Sequence, residues 1–117
     1  MTLKKARKLT DPDKIREVIR MANADVKMYI AFDKHTPLDV LQALAHDNNG
    51  EVAGWAMSNP RLDIETLYSL LNDSLAAQYF MAKREDATND MLQKLLKLTE
   101  SEKIRDDILK HPNYKEE

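Results

Sequence analysis

Cysteine is absent from this 117-residue chain. That excludes disulfides, thiolate metal sites, iron–sulfur clusters and a cysteine nucleophile at once. Glycine occurs only twice, at Gly50 and Gly54, so no glycine-rich loop exists to cradle a phosphate. The three histidines, His35, His46 and His111, show neither HxxxH nor HExxH spacing. Ser58, Ser69, Ser74 and Ser101 lack the glycine-flanked elbow of a serine nucleophile. No apolar run approaches the roughly 18 to 20 residues that span a bilayer. The basic start at Lys4, Lys5, Arg7 and Lys8 is not followed by an apolar signal core. The expectation is a soluble cytoplasmic protein that is not an enzyme and holds neither metal nor cofactor.

What is present favours helix. Hydrophobic residues make up 43% and charged residues 32%, a balance that suits a folded chain. The length fits one domain over residues 1–117. The net charge of −2 is unevenly distributed. Residues 1–34 hold nine Lys/Arg against five Asp/Glu, and residues 35–80 hold Arg61 alone against six acids. A basic end and an acidic middle can orient a charged partner.

A spacing of 26 residues runs through the chain. Thr10, Asp13, Ile15, Asn23, Val26 and Tyr29 reappear as Thr36, Asp39, Leu41, Asn49, Val52 and Trp55. Apolar anchors continue it at Ile15/Val18, Leu41/Leu44, Leu67/Leu70 and Leu92/Leu95, joined by Ile19, Ala45, Leu71 and Leu96. This is the i, i+3, i+4 stripe of a buried helix face, met four times. It predicts an all-α fold, a small α-solenoid of about four helix-turn-helix repeats over residues 10–35, 36–61, 62–87 and 88–113. The expected helices cover residues 12–22, 25–33, 38–46, 50–58, 63–72, 74–84, 89–98 and 101–110, with a short basic lead-in over 3–9. Thr10, Thr36, Asp63 and Thr88 are expected as caps, and Thr99 with Glu102 fits a capping box. Prolines in the loops stop one helix before the next begins.

The run Ser58-Asn59-Pro60, Asp63-Ile64-Glu65-Thr66-Leu67, Leu70-Leu71-Asn72-Asp73 resembles a unit of the leucine-rich repeat variant class. That class is a relative of the HEAT and armadillo solenoids. Ala56-Met57-Ser58-Asn59-Pro60 is the best single match, and His111-Pro112-Asn113 is a partial one. The resemblance implies a right-handed stack of helix pairs and a recognition role, and it carries over no catalytic residue.

Three sets of residues are candidates for binding. Tyr29, Trp55 and Phe80 hold equivalent places on successive second helices and read as core stacked between units, or as an exposed aromatic ladder. Trp55 heads the partner-binding set because tryptophan is enriched at hot spots. Asp39, Asp47, Glu51, Asp63, Glu65 and Asp73 suit helix starts, yet Asp47, Glu51 and Asp73 could align as an acidic ridge. Lys4, Lys5, Lys8, Arg16 and Arg20 are candidate phosphate contacts, or the polar outer face of a capping repeat. The leading expectation is a non-enzymatic protein-interaction module, a small adaptor or inhibitor whose partner is another protein. The alternative is a nucleic-acid-binding helical-repeat protein using the basic N-terminal patch. A second copy of the chain is a further candidate partner, covering Met91, Leu98, Ile104, Ile108 and Leu109.

Overall fold

The computed structural model describes residues 2–116, and among them every regular element is an α-helix. The chain divides into two compact units, Met1–Asp63 and Ile64–Glu117. The first contains α1 (Leu3–Ala6), α2 (Pro12–Ile19), α3 (Ala24–Phe32), α4 (Leu38–Ala45) and α5 (Gly50–Ser58). The second contains α6 (Ile64–Ser69), α7 (Leu75–Lys83), α8 (Asn89–Leu98) and α9 (Glu102–Leu109). All eight expected helices are present, several of them shorter, most of all α6, which spans Ile64–Ser69, and the lead-in helix stops at Ala6.

Local chemistry explains most starts. Asn23 accepts from the Val26 N–H, Asn49 from Glu51 and Val52, Ser74 from Ala77, and Thr88 from Met91. Each side chain satisfies a donor that the first helical turn leaves without a partner. Three expected caps differ. Asp11, with Pro12 behind it at the first helical position, caps α2 in place of Thr10. Thr36 does not cap α4, whose N-cap is Pro37 without a side-chain bond. The Thr36 hydroxyl is buried instead and donates to the Ile30 carbonyl in the last turn of α3, which also accepts the Asp33 N–H at 3.3 Å. Ser101 rather than Thr99 caps α9, because that helix begins at Glu102 and so places Glu102 too early for a capping box.

In each unit the leucine-rich stripes turn inward. Ile15, Leu41, Leu44 and Ala45 are buried in the first, and Leu67, Leu71, Leu92 and Leu95 in the second, while Val18, Ile19, Leu70 and Leu96 are half-buried. Burial of one such large side chain stabilises by about 1.5–3 kcal/mol. The helices between the stripes contribute small residues: Ala31, Ala53 and Ala56 in one unit, Ala77 and Ala82 in the other.

A recurring side-chain latch joins the helix ends. Asn59 is buried, and its Nδ2 donates to the carbonyls of Ala31 (2.9 Å) and Asp33 (3.3 Å), 28 and 26 residues earlier. Its Oδ1 accepts the Arg61 N–H at 3.0 Å, and Arg61 Nη1 reaches back to the carbonyls of Lys34 (2.8 Å) and Thr36. In the second unit Asn113 Nδ2 donates to Glu85 (3.0 Å) and Ala87 (2.8 Å), again 28 and 26 residues earlier. His111 Nε2 lies 2.7 Å from the Arg84 carbonyl while its Nδ1 accepts the Asn113 N–H at 3.0 Å. These bonds fix the tautomer with the proton on Nε2.

The latch also fixes helix direction. Asn59 ties the C-terminal end of α5 to that of α3, and Lys27 near the start of α3 pairs with Asp47 just ahead of α5 at 3.2 Å. The two helices therefore run side by side in the same sense. The C-terminal ends of α7 and α9 are likewise joined, by His111 and Asn113 and by Lys83, the last residue of α7, which pairs with Asp107 in the last turn of α9 at 3.5 Å.

Replacing Asn59 by alanine leaves buried carbonyls without donors, and we expect a loss of about 1–3 kcal/mol in urea unfolding. Asn113→Ala should cost less, because Asn113 is exposed and water replaces the amide. Equal costs, or none for Asn59→Ala, would remove the latch from the account of stability.

Candidate interaction groove

The helix α3, Ala-Asp-Val-Lys-Met-Tyr-Ile-Ala-Phe, has more apolar residues than one buried face can take. Val26, Ile30 and Ala31 are buried, whereas Met28 and Tyr29 are half-buried and Phe32 is 62% exposed. Beside it α5 buries Val52, Ala53, Ala56 and Met57 and leaves Trp55 44% exposed. The Phe32 and Trp55 rings meet edge to face, centroids 5.4 Å apart and planes at 89°, a geometry worth about 0.5–1.5 kcal/mol beyond burial. With Leu3 of α1, Asp25, Met28 and Tyr29 they line a groove of about 330 Å³. Its walls are almost wholly apolar, and Asp25 is the one charged residue among them.

Trp55 is therefore not core between α3 and α5; of the two alternatives for the aromatic set, its exposure fits a surface residue. The physical reason is that Val26, Ile30, Ala31, Val52, Ala53 and Ala56 are all buried. They fill the space between α3 and α5, and an indole has no room there. Tyr29 and Trp55 share the groove. Phe80 lies in the second unit, half-buried and edge to face with Tyr79 at 5.2 Å. There it helps Leu75, Ala76, Tyr79 and Ile104 line another groove, of about 480 Å³.

The acidic candidates separate. Asp47 is half-buried and engaged, its Oδ1 accepting the Asn49 N–H at 2.8 Å and its Oδ2 pairing with Lys27 at 3.2 Å. The backbone N–H of Asn49 and then the Lys27 ammonium hold its carboxyl below the ordinary 3.8, against a partial opposing effect of burial. Glu51 is exposed in the first turn of α5, and Asp73 is exposed in the turn before Ser74 in the second unit. Asp39 is bound by the Arg16 guanidinium through two bonds of 3.0 and 3.1 Å, which keep its carboxyl low.

That pairing, with a further bond to Asp13 at 3.1 Å, engages Arg16. Lys4, Lys5, Lys8 and Arg20 are exposed. Of the residues expected to face a second copy, Ile104 and Ile108 are buried inside their own unit, Met91 and Leu98 are half-buried, and Leu109 is exposed. Ile104 and Ile108 turn inward because they form the apolar stripe by which α9 packs in that unit. Among the described residues no group of three His, Cys, Asp or Glu is placed to hold a metal ion. No helix among them is long and apolar enough to cross a membrane.

Sequence periodicity did not single out Phe32, Met28 or Leu3. The signal for Phe32 was local: it stands four residues after Met28 and three after Tyr29, so the three share one face of α3. Comparisons with known protein families, with curated proteins and with solved structures found no match.

Two measurements check this account. Trp55 is the only tryptophan, so its fluorescence reports the groove alone; we expect strong acrylamide quenching that rises further in Phe32→Ala. A blue-shifted, quencher-protected emission would mean that the indole is core. For Asp47, a folded-state value below 3.8 gives stability that is present above that pH and lost as pH falls through the lower folded value. Asp47→Asn should flatten the pH dependence of the urea midpoint below about pH 4, and an unchanged profile would show that its two bonds contribute nothing.

Proposed function

We propose that this protein is a non-enzymatic protein-interaction module, a small adaptor or inhibitor that acts through the surface of a helical-repeat stack. The observation that carries the reading is the Phe32–Trp55 groove. Two large aromatic side chains stand exposed, 5.4 Å apart, on helices whose other faces are already buried. Rigid aromatic residues in concave apolar surface are the usual anchors of protein interfaces.

Further support comes from groups that could have carried chemistry but are used locally. His46 Nδ1 bonds the Gln42 carbonyl, His35 faces Asp33, and both His111 nitrogens are engaged. The Ser58 and Ser69 hydroxyls donate to the carbonyls of Trp55 and Thr66, and Ser74 and Ser101 cap helices. The helical-repeat reading, with its likeness to the leucine-rich variant and HEAT classes, is favoured by the latch. Asn59 and Asn113 each reach carbonyls 28 and 26 residues earlier, which is what one unit repeated along the chain would produce.

Affinity capture from native extract with quantitative mass spectrometry tests the proposal. Partners held by the wild type should be lost with Trp55→Ala and kept when Lys4, Lys5 and Lys8 are changed to alanine. The opposite pattern, with binding that collapses as salt rises, would favour the nucleic-acid alternative, since phosphate contacts weaken steeply with ionic strength.

A further inference from the structure

The groove on the first unit has a chemical bias beyond being apolar. Three aromatic side chains, Tyr29, Phe32 and Trp55, line it together with one carboxylate, Asp25, and no basic residue is among its walls. The Phe32 and Trp55 ring planes stand at 89°. The pair meets edge to face, so one ring's edge takes up part of the other's face, and a cation in the groove meets the aromatic surface that stays exposed at Phe32 and Trp55.

Asp25 enters no ion pair and no side-chain hydrogen bond among the described residues. It stands one turn before Tyr29 on α3, and exposed Glu51 stands one turn before Trp55 on α5. Because α3 and α5 run in the same sense, both carboxylates stand at the N-terminal end of the helix pair, and Asp25 is the one that lines the groove. Lys27 is held by Asp47 at 3.2 Å, and none of Lys4, Lys5 and Arg7 around α1 is among the residues that line the groove.

Aromatic faces carry negative electrostatic potential, and a nearby carboxylate adds to it. Such a site distinguishes a cation from a neutral group of the same shape. Its apolar walls favour a cation that is weakly hydrated and rich in methyl groups over a bare ammonium, which gives up its water at greater cost. We propose, building on the interaction-module reading, that the groove binds an alkylated ammonium side chain of the methyl-lysine kind presented by a partner protein. The attraction is cation–π with Phe32, Trp55 and Tyr29, oriented by Asp25.

The test follows Trp55 fluorescence and its indole N–H resonance in titrations of the full chain. The probes are a short peptide bearing trimethyllysine, the same peptide with lysine, the same peptide with the neutral tert-butyl isostere of trimethyllysine, and free choline. The trimethyllysine peptide should bind about two- to fivefold tighter than its neutral isostere, as expected for exposed cation–π contacts, and tighter than the lysine peptide. Phe32→Ala and Trp55→Ala should abolish the preference; loss of the indole in the latter is read by backbone resonances of α3. Asp25→Asn should weaken the cation without affecting the isostere. All three sites are exposed, so an unchanged circular dichroism melt certifies the fold of each variant.

Equal affinity for cation and isostere overturns the inference while leaving an apolar docking groove in place. Absence of any response to the probes overturns it as well, and the capture experiment with Trp55→Ala then decides the docking reading separately. Choline binding as tightly as the peptide would overturn the assignment to a partner's side chain in favour of a free quaternary ammonium compound.

Discussion

The side-by-side packing of α3 and α5 is the constraint on which the first unit depends. It is close because alanine and valine fill the contact, and it is directional because polar groups fix both ends. Asn59 binds two carbonyls at the C-terminal end, and the Lys27–Asp47 pair closes the N-terminal end. Once the contact is filled by small side chains, each helix must place its large ones elsewhere. Phe32 and Trp55 go to the same outer side and meet there. The groove is thus a by-product of the core: small residues inside put aromatic residues outside.

The latch explains why irregular loops can be as well determined as the helices they join. The carbonyls at the end of α3 have no intrahelical donors, and a loop that buried them unpaired would be costly. One asparagine satisfies two of them while its own carbonyl accepts the Arg61 N–H, so a single side chain consumes acceptors on one loop and orders another. In the second unit the order of residues is reversed, with His111 before Asn113 where Arg61 follows Asn59, yet the carbonyls addressed stand at the same distance back along the chain. Different side chains meet the same geometric demand.

Charge plays a narrower part than composition suggested. Arg16, Asp39, Lys27 and Asp47 are committed to pairs within the first unit, of which the exposed Arg16–Asp39 pair contributes little to stability. Their consequence is subtractive. Of the acidic candidates Glu51 and Asp73 remain exposed and Asp47 does not, and of the basic candidates Lys4, Lys5, Lys8 and Arg20 remain without a pair among the described residues while Arg16 does not. What remains uncommitted beside the aromatic groove is Asp25.

The sequence by itself determined the helices: their number, order and approximate bounds follow from apolar spacing, prolines and polar turn residues, all of which act within a few positions along the chain. It also determined that Ile15, Leu41, Leu67 and Leu92 point inward, because a leucine-rich stripe on an otherwise polar helix has only one face to bury. It did not determine which cap serves α4 or α9, since Thr36 and Thr99 each have a competing use for the hydroxyl. Nor did it determine the side of Trp55. On a helix as uniformly apolar as α5 the periodicity offers more than one buried face, and only packing against α3, a contact between residues more than twenty positions apart, left the indole outside. The Asn59 latch belongs to the same class: its bonds span 28 and 26 residues, and separations of that size are decided by the tertiary fold alone.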